Sequence, residues 1–139
     1  MHDVYENTVR FEETDAQGIV FYGNYATYQD ETFTAFMDAI GHPYGDVEEY
    51  YWDVHVVNME LNYHASARFR DRLVNSMRVS RVNDSSLTLE YECRNADGDL
   101  LADGTVTHVV VDDSGSPIRV PDELREAVVA YQDTPPEGV

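Results

Sequence analysis

The stretch NYATYQDETFTAFMDAIG, Asn24 to Gly41, is the longest helical pattern in the chain. Tyr25, Tyr28, Phe33, Phe36, Met37 and Ile40 recur at three- and four-residue steps, giving one helix a single aromatic-rich face to bury. Asn24 is the expected N-cap, and Gly41 the expected residue just past the last turn. Beyond HPYGDVEEYY, read as a loop or a short turn of helix, the period falls from about 3.6 to 2, the mark of strands. WDVHVVNMELNYH, LVNSMRVSRV, SLTLEYECRN and LLADGTVTHVVVD supply four of them, and VYENTVRF (Val4 to Phe11) a first one before the helix. Asp97-Gly98 and Asp113-Ser114-Gly115 mark turns, and Pro121 to Tyr131 reads as a short C-terminal helix. The order is β-α-β-β-β-β. One aromatic-faced helix and one sheet can only bury each other, so the fold class expected is α+β, an antiparallel meander wrapped around a long central helix, which is the hot-dog layout.

The chain has 139 residues, enough for one domain with one core, and DTPPEGV at 133–139 is expected to fray. No basic start with an apolar segment opens it and no apolar run of about 18 residues interrupts it, so it reads as soluble and cytoplasmic. The single cysteine, Cys93, alternates with Leu87, Leu89 and Tyr91 and reads as a small buried hydrophobe. The charge balance is extreme: 27 acidic residues stand against 9 basic ones, for a formal −18, and all nine basic residues are Arg. That much like charge weakens a compact state in dilute buffer but is screened in molar salt, where the Debye length is about 3 Å. The composition is therefore that of a halophile's protein, and it disfavours nucleic acid and anionic membrane as partners.

Immediately before the helix lies ETDAQGIVFYGNY, Glu13 to Tyr25. Read on its own, Asp15 is either a catalytic carboxylate or the first residue of a polar turn. Asp15, Gly18, Ile19-Val20, Tyr22, Asn24-Tyr25 and then Asp30 resemble the motif D-x-x-G-[IV]-V-x-[YH]-x-[NS]-Y-x4-[DE] of the 4-hydroxybenzoyl-CoA thioesterase family. NYHASARFRD is similar to that family's Y-x-x-P-A-R-[FY]-x-D, with Ser66 where Pro is usual. The resemblance covers nearly the whole chain. It implies a hot-dog fold and hydrolysis of an acyl-CoA thioester, aryl or short to medium acyl, with no cofactor. It further implies a site between protomers and a homotetramer.

On that resemblance Asp15 is the attacking carboxylate or general base, and the Tyr22 backbone N–H polarises the thioester carbonyl. Gly18 and Gly23 let backbone come close, and Asp30 takes the family's helix-acid position. Tyr22 stands where many members carry His, so no imidazole assists Asp15. Arg68, Arg70, Arg72, Arg78 and Arg81 place five of the nine cations within fourteen residues, a candidate patch for the CoA phosphates. The structural alternatives are arginines paired with surface carboxylates and a solvated Asp30. Two functional rivals remain: a non-catalytic acyl-CoA or acyl-carrier binding module, and a hot-dog 3-hydroxyacyl-CoA dehydratase. The five histidines show no ligand spacing, and no metal site is expected.

The charge reading makes a direct prediction. The thermal midpoint is expected to rise by several degrees between dilute buffer and molar salt, measured by calorimetry, and an unchanged midpoint would refute it.

Overall fold

The computed structural model describes residues 1–42 and 51–139. HPYGDVEEYY spans 42–51, and the reading of it as a loop or short turn of helix falls at 43–50 outside the described residues. The described elements are β1 (His2–Thr8), a 3-10 turn (Phe11–Glu13), α1 (Asn24–Ala39), β2 (Asp53–Tyr63), β3 (Arg72–Val82), β4 (Ser86–Asn95), β5 (Leu100–Val111) and α2 (Asp122–Tyr131). All five strands form one antiparallel sheet in the order β1-β3-β4-β5-β2.

The element order agrees with the sequence pattern, but two details differ. The first strand stops at Thr8 because Glu13 turns the chain back, its carboxylate accepting the Arg10 amide at 2.9 Å. The four later strands are not a simple meander. β3, β4 and β5 run in order, but β1 occupies the outer edge of β3, from His2 opposite Met77 to Thr8 opposite Arg72. β2 therefore pairs with β5. Gly104 permits that pairing, since a Cβ there would stand 1.9 Å from the Glu60 carbonyl oxygen.

α1 is 16 residues, about 24 Å long, and buries Tyr25, Tyr28, Phe33, Phe36 and Met37 as the spacing requires. Its C-terminal end is a Schellman turn: Gly41 sits at φ +88, its N–H bonds Asp38 O at 3.1 Å, and the His42 N–H bonds Met37 O at 2.9 Å. At the other end Gly23, not Asn24, is the N-cap, and no side chain caps the helix. Leu73, Met77, Leu87, Leu89, Tyr91, Cys93, Val106 and Val110 on the strands complete a core into which α2 sends Leu124 and Val128. Burial pushes the Cys93 thiol up to about 11, so it stays a protonated core group.

The C-terminal tail, expected to fray, is tied to β3. The Gln132 side chain pairs with Val79 as a strand would, accepting its N–H at 2.7 Å and donating to its carbonyl at 3.0 Å. Glu137 then donates to Ser80 O and accepts from the Val82 N–H. These bonds cover the β3 edge beyond the end of β1, which would otherwise leave pairing groups open.

One core residue carries a cost. His108 on β5 is 3% exposed and stacks on Phe33 with ring centroids 4.1 Å apart, yet neither ring nitrogen has a hydrogen-bond partner among the described residues. Burial pushes its pKa down from 6.5 to about 4. Between those values the unfolded chain binds the extra proton, so the contribution is intact above about pH 6.5 and is lost as pH falls toward 4. Denaturant unfolding in molar salt is expected to show wild type losing about 2 kcal/mol more than His108→Leu between pH 7 and 4.5. Equal losses would show that His108 is not buried as the neutral ring.

Candidate active site

The segment from Glu13 to Phe21 folds as a tight hairpin. Thr14 bridges Val20, Asp15 N–H donates to Ile19 O, and Gly18 N–H donates to Asp15 O, each bond 2.9 Å. Gly18 closes it at φ +78, a left-handed conformation that a side chain disfavours. Within the turn Asp15 Oδ1 accepts the Gln17 N–H at 2.8 Å. Its second oxygen accepts no hydrogen bond among the described residues. The Asx turn and a chemical role are thus compatible: one oxygen orients the carboxylate, and the other is left available.

Glu13 fastens this hairpin to the helix. Its backbone carbonyl accepts the Phe21 N–H at 2.9 Å and the Asn24 side-chain amide at 2.8 Å. Its carboxylate accepts the Tyr28 hydroxyl at 2.9 Å from one helical turn further on. Burial and the Glu13 bond both raise the Tyr28 pKa, so the phenol remains a proton donor to Glu13. Asn24 is conscripted into this tie, which is why it does not cap.

The chain then enters α1 through Tyr22 and Gly23. The Tyr22 N–H donates no hydrogen bond among the described residues, and it lies at the positive end of the helix. Its side chain is 65% exposed and packs against Phe21, with centroids 4.5 Å apart. Hydrogen bonding along the hairpin therefore gathers Asp15, Gly18 and the Tyr22 amide into one unit. Asp30 is not part of it: it lies two helical turns into α1, exposed, with no side-chain partner among the described residues.

Ile19 bridges Arg68, and Val20 N–H donates to Ala67 O, so the turn before β3 lies beside the hairpin. The Arg68 guanidinium would lie 3.9 Å from a Cβ at Gly18. The arginine group divides here. Arg72 pairs with Glu6, Arg78 with Glu90 and Arg81 with Glu137. Elsewhere Arg10, Arg94 and Arg119 also pair with carboxylates, and Arg125 donates to backbone carbonyls. Arg68 and Arg70 have neither an ion pair nor a guanidinium hydrogen bond among the described residues, and both are exposed. Arg70 lies over the Phe69 ring at 5.1 Å and is the one non-glycine described at positive φ, +72. Of the five arginines in the candidate patch, Arg72, Arg78 and Arg81 are thus paired with carboxylates, and Arg68 and Arg70 are not paired among the described residues.

The thioesterase-like superfamily pattern matches residues 9–128, which take in the hairpin, α1, strands β2 to β5 and most of α2. The chain belongs to that superfamily. The Bacillus subtilis protein YneP, provisionally named an acyl-CoA thioesterase, is 27% identical over 128 residues, covering 91% of this chain and 93% of its own. A DHNA-CoA thioesterase from Staphylococcus aureus is 25% identical, with a TM-score of 0.83 over 91% of this chain and 87% of that one. A gentisyl-coenzyme A thioesterase is 26% identical, with a TM-score of 0.80 over 87% and 98%. The sheet and helices of this thioesterase-like protein are accordingly a hot-dog fold.

Sequence reading gave two residues of this site no role, although Tyr63 opens the Y-x-x-P-A-R pattern and Glu13 opens the stretch before the helix. Glu13 is one acid among 27, and only its contacts single it out. Tyr63 ends β2 with its hydroxyl donating to the Tyr22 carbonyl at 3.1 Å, a contact across 41 positions that local pattern cannot register.

Proposed function

We propose that this protein hydrolyses an acyl-CoA thioester to a free acid and CoA. The observation that carries the reading is the pairing, on the hairpin and the helix entrance that follows it, of a carboxylate oxygen and a backbone amide that are both uncommitted among the described residues. A thioester needs both a group that attacks, or activates water, and a donor where negative charge develops on the carbonyl oxygen. Asp15 supplies the first and the Tyr22 N–H the second. Gly18 sets the turn that presents Asp15. Asp30 is assigned no step in the chemistry.

Arg68 and Arg70 are the cations proposed to meet the CoA phosphates. In a chain of net charge −18 an uncompensated guanidinium is a local exception, and both lie on the turn beside the hairpin. The names of the relatives, a DHNA-CoA and a gentisyl-coenzyme A thioesterase among them, support the class of reaction. They leave the acyl group of this chain's substrate unassigned.

The test is thiol release from a panel of aryl and aliphatic acyl-CoAs in molar salt. Wild type is expected to turn over at least one ester, and Asp15→Asn to lose about 10² or more of that rate. On the same ester Arg68→Ala is expected to raise KM about tenfold with little change in kcat, while Arg81→Ala, which breaks only its pair with Glu137, leaves both near wild type. Equal rates for wild type and Asp15→Asn would refute the role of the carboxylate. Binding of CoA esters without turnover would favour the binding module.

The assembly proposed is a homotetramer, built on dimers that join along β2. Among the described residues that strand pairs only with β5, and Val56, Val57 and Met59 on it are 50%, 60% and 37% exposed. An apolar edge of this kind is ordinarily covered. Sedimentation equilibrium in molar salt should give four chains per particle, and Val57→Asp should yield smaller species. A monomeric wild type would overturn the assignment.

A further inference from the structure

Two peptide planes form the entrance to α1. The carbonyl of the first, between Phe21 and Tyr22, accepts the Asn24 N–H at 2.9 Å. The carbonyl of the second, between Tyr22 and Gly23, accepts the Tyr63 hydroxyl at 3.1 Å and, more weakly, the Tyr25 N–H at 3.3 Å. Neither peptide bond is cis, so in each plane the N–H points opposite to its carbonyl. Both planes are therefore held by the carbonyl side, and both N–H groups, of Tyr22 and of Gly23, donate no hydrogen bond among the described residues. Gly23 has helical dihedrals, φ −65 and ψ −22, so its N–H shares the outward direction of the other first-turn amides.

We propose that the Gly23 N–H is a second donor to the thioester carbonyl oxygen, beside the Tyr22 N–H, and that Tyr63 is the positioning residue that holds it there. The proposal rests on the thioesterase reading above. No bond is made or broken by these groups: the carbonyl oxygen accepts two hydrogen bonds as its negative charge grows, and both are released when the carbonyl re-forms. Two fixed donors suit the developing charge, since each stabilises the oxyanion without the reorganisation that water would need.

Tyr63 suits the positioning role in two ways. A donor on the carbonyl side polarises the peptide and makes its N–H a stronger donor on the other side. The ring that carries the hydroxyl is also fixed: it meets Tyr25 edge-on at 5.5 Å and 71°, and Tyr25 is itself 3% exposed in the core. The contact places the end of β2 against the start of α1, so the sheet, and not the hairpin alone, sets the angle of the second plane. Tyr63 is 49% exposed, and a hydrogen bond at such a surface adds little to stability. Its contribution to rate can thus be read without a folding defect.

The test uses Tyr63→Phe, which keeps the ring and removes the hydroxyl, in the intact protein in molar salt. On an ester that wild type hydrolyses, kcat is expected to fall about tenfold while KM stays within about twofold and the thermal midpoint is unchanged. In the free protein the Gly23 amide proton resonance should move upfield in the 15N-correlated spectrum, a change that a purely packing role for Tyr63 would not produce. A wild-type kcat, a rise in KM alone, or an unmoved Gly23 resonance would each overturn the proposal. If Asp15→Asn is inactive while Tyr63→Phe is fully active, the thioesterase reading stands and the positioning role falls. Failure of wild type to hydrolyse any ester defeats both.

Discussion

The structure around the site depends on the fixing of one short hairpin to one helix, and Glu13 is the residue that does it. Its carbonyl and carboxylate together take donors from Phe21, Asn24, Tyr28 and Arg10. Without that tie the turn carrying Asp15 and the amides at the start of α1 would move independently. Relative placement within a fraction of an ångström is what a carboxylate and an oxyanion donor require of one another. The same carboxylate ends β1 by pulling the chain back at Arg10, so a single acid sets both where the first strand stops and how the helix begins.

Charge acts on this site by subtraction. With three acids to every base, most arginines find a carboxylate, and a surface pair of that kind contributes little to stability but cancels the local positive field. The two arginines with neither an ion pair nor a guanidinium hydrogen bond among the described residues are those on the turn at 68–70, where Asp71 is engaged instead with the Arg68 backbone N–H at 2.8 Å. Position, not number, is what separates them from the rest of the sequence cluster. Arg70 holds a conformation that costs a non-glycine residue of order 1 kcal/mol, and strain of this sort persists where the surrounding structure fixes it.

Much of the fold was legible because its signals are periodic. The aromatic steps from Tyr25 to Met37 give the buried face of α1, the alternation from Ser86 to Asn95 gives β4 to the residue, and Gly41 and Gly98 end their elements at positive φ. What failed was set by contacts between distant residues. Strand order turned on β1 claiming the β3 edge, and the capping assignment at Asn24 turned on a carbonyl eleven residues earlier. The tail was tied down by a glutamine side chain acting as a strand. Even the departure from the family motif at Ser66 has a physical side: its N–H donates no hydrogen bond among the described residues, so the proline usual there would cost none. For the site, the motif brought out Asp15, Gly18 and Tyr22, whereas Glu13 and Tyr63 act through bonds that no spacing rule encodes.

The question of whether Asp15 makes a turn or does chemistry loses its force once both oxygens are counted. An aspartate that used neither oxygen locally would rotate about two side-chain bonds and present its charge in many directions. One that used both would have nothing left to offer. Asp15 spends one on the Gln17 amide and keeps the other free, and Gly18 closes the turn so tightly that this division is fixed. The helix entrance repeats the logic in peptide groups: each carbonyl is occupied, by Asn24 or by Tyr63, and each opposing N–H is left open. Satisfying one half of a polar group through the fold is what aims the other half outward, and on the proposed thioesterase reading Asp15 and the helix-entrance amides are both prepared that way.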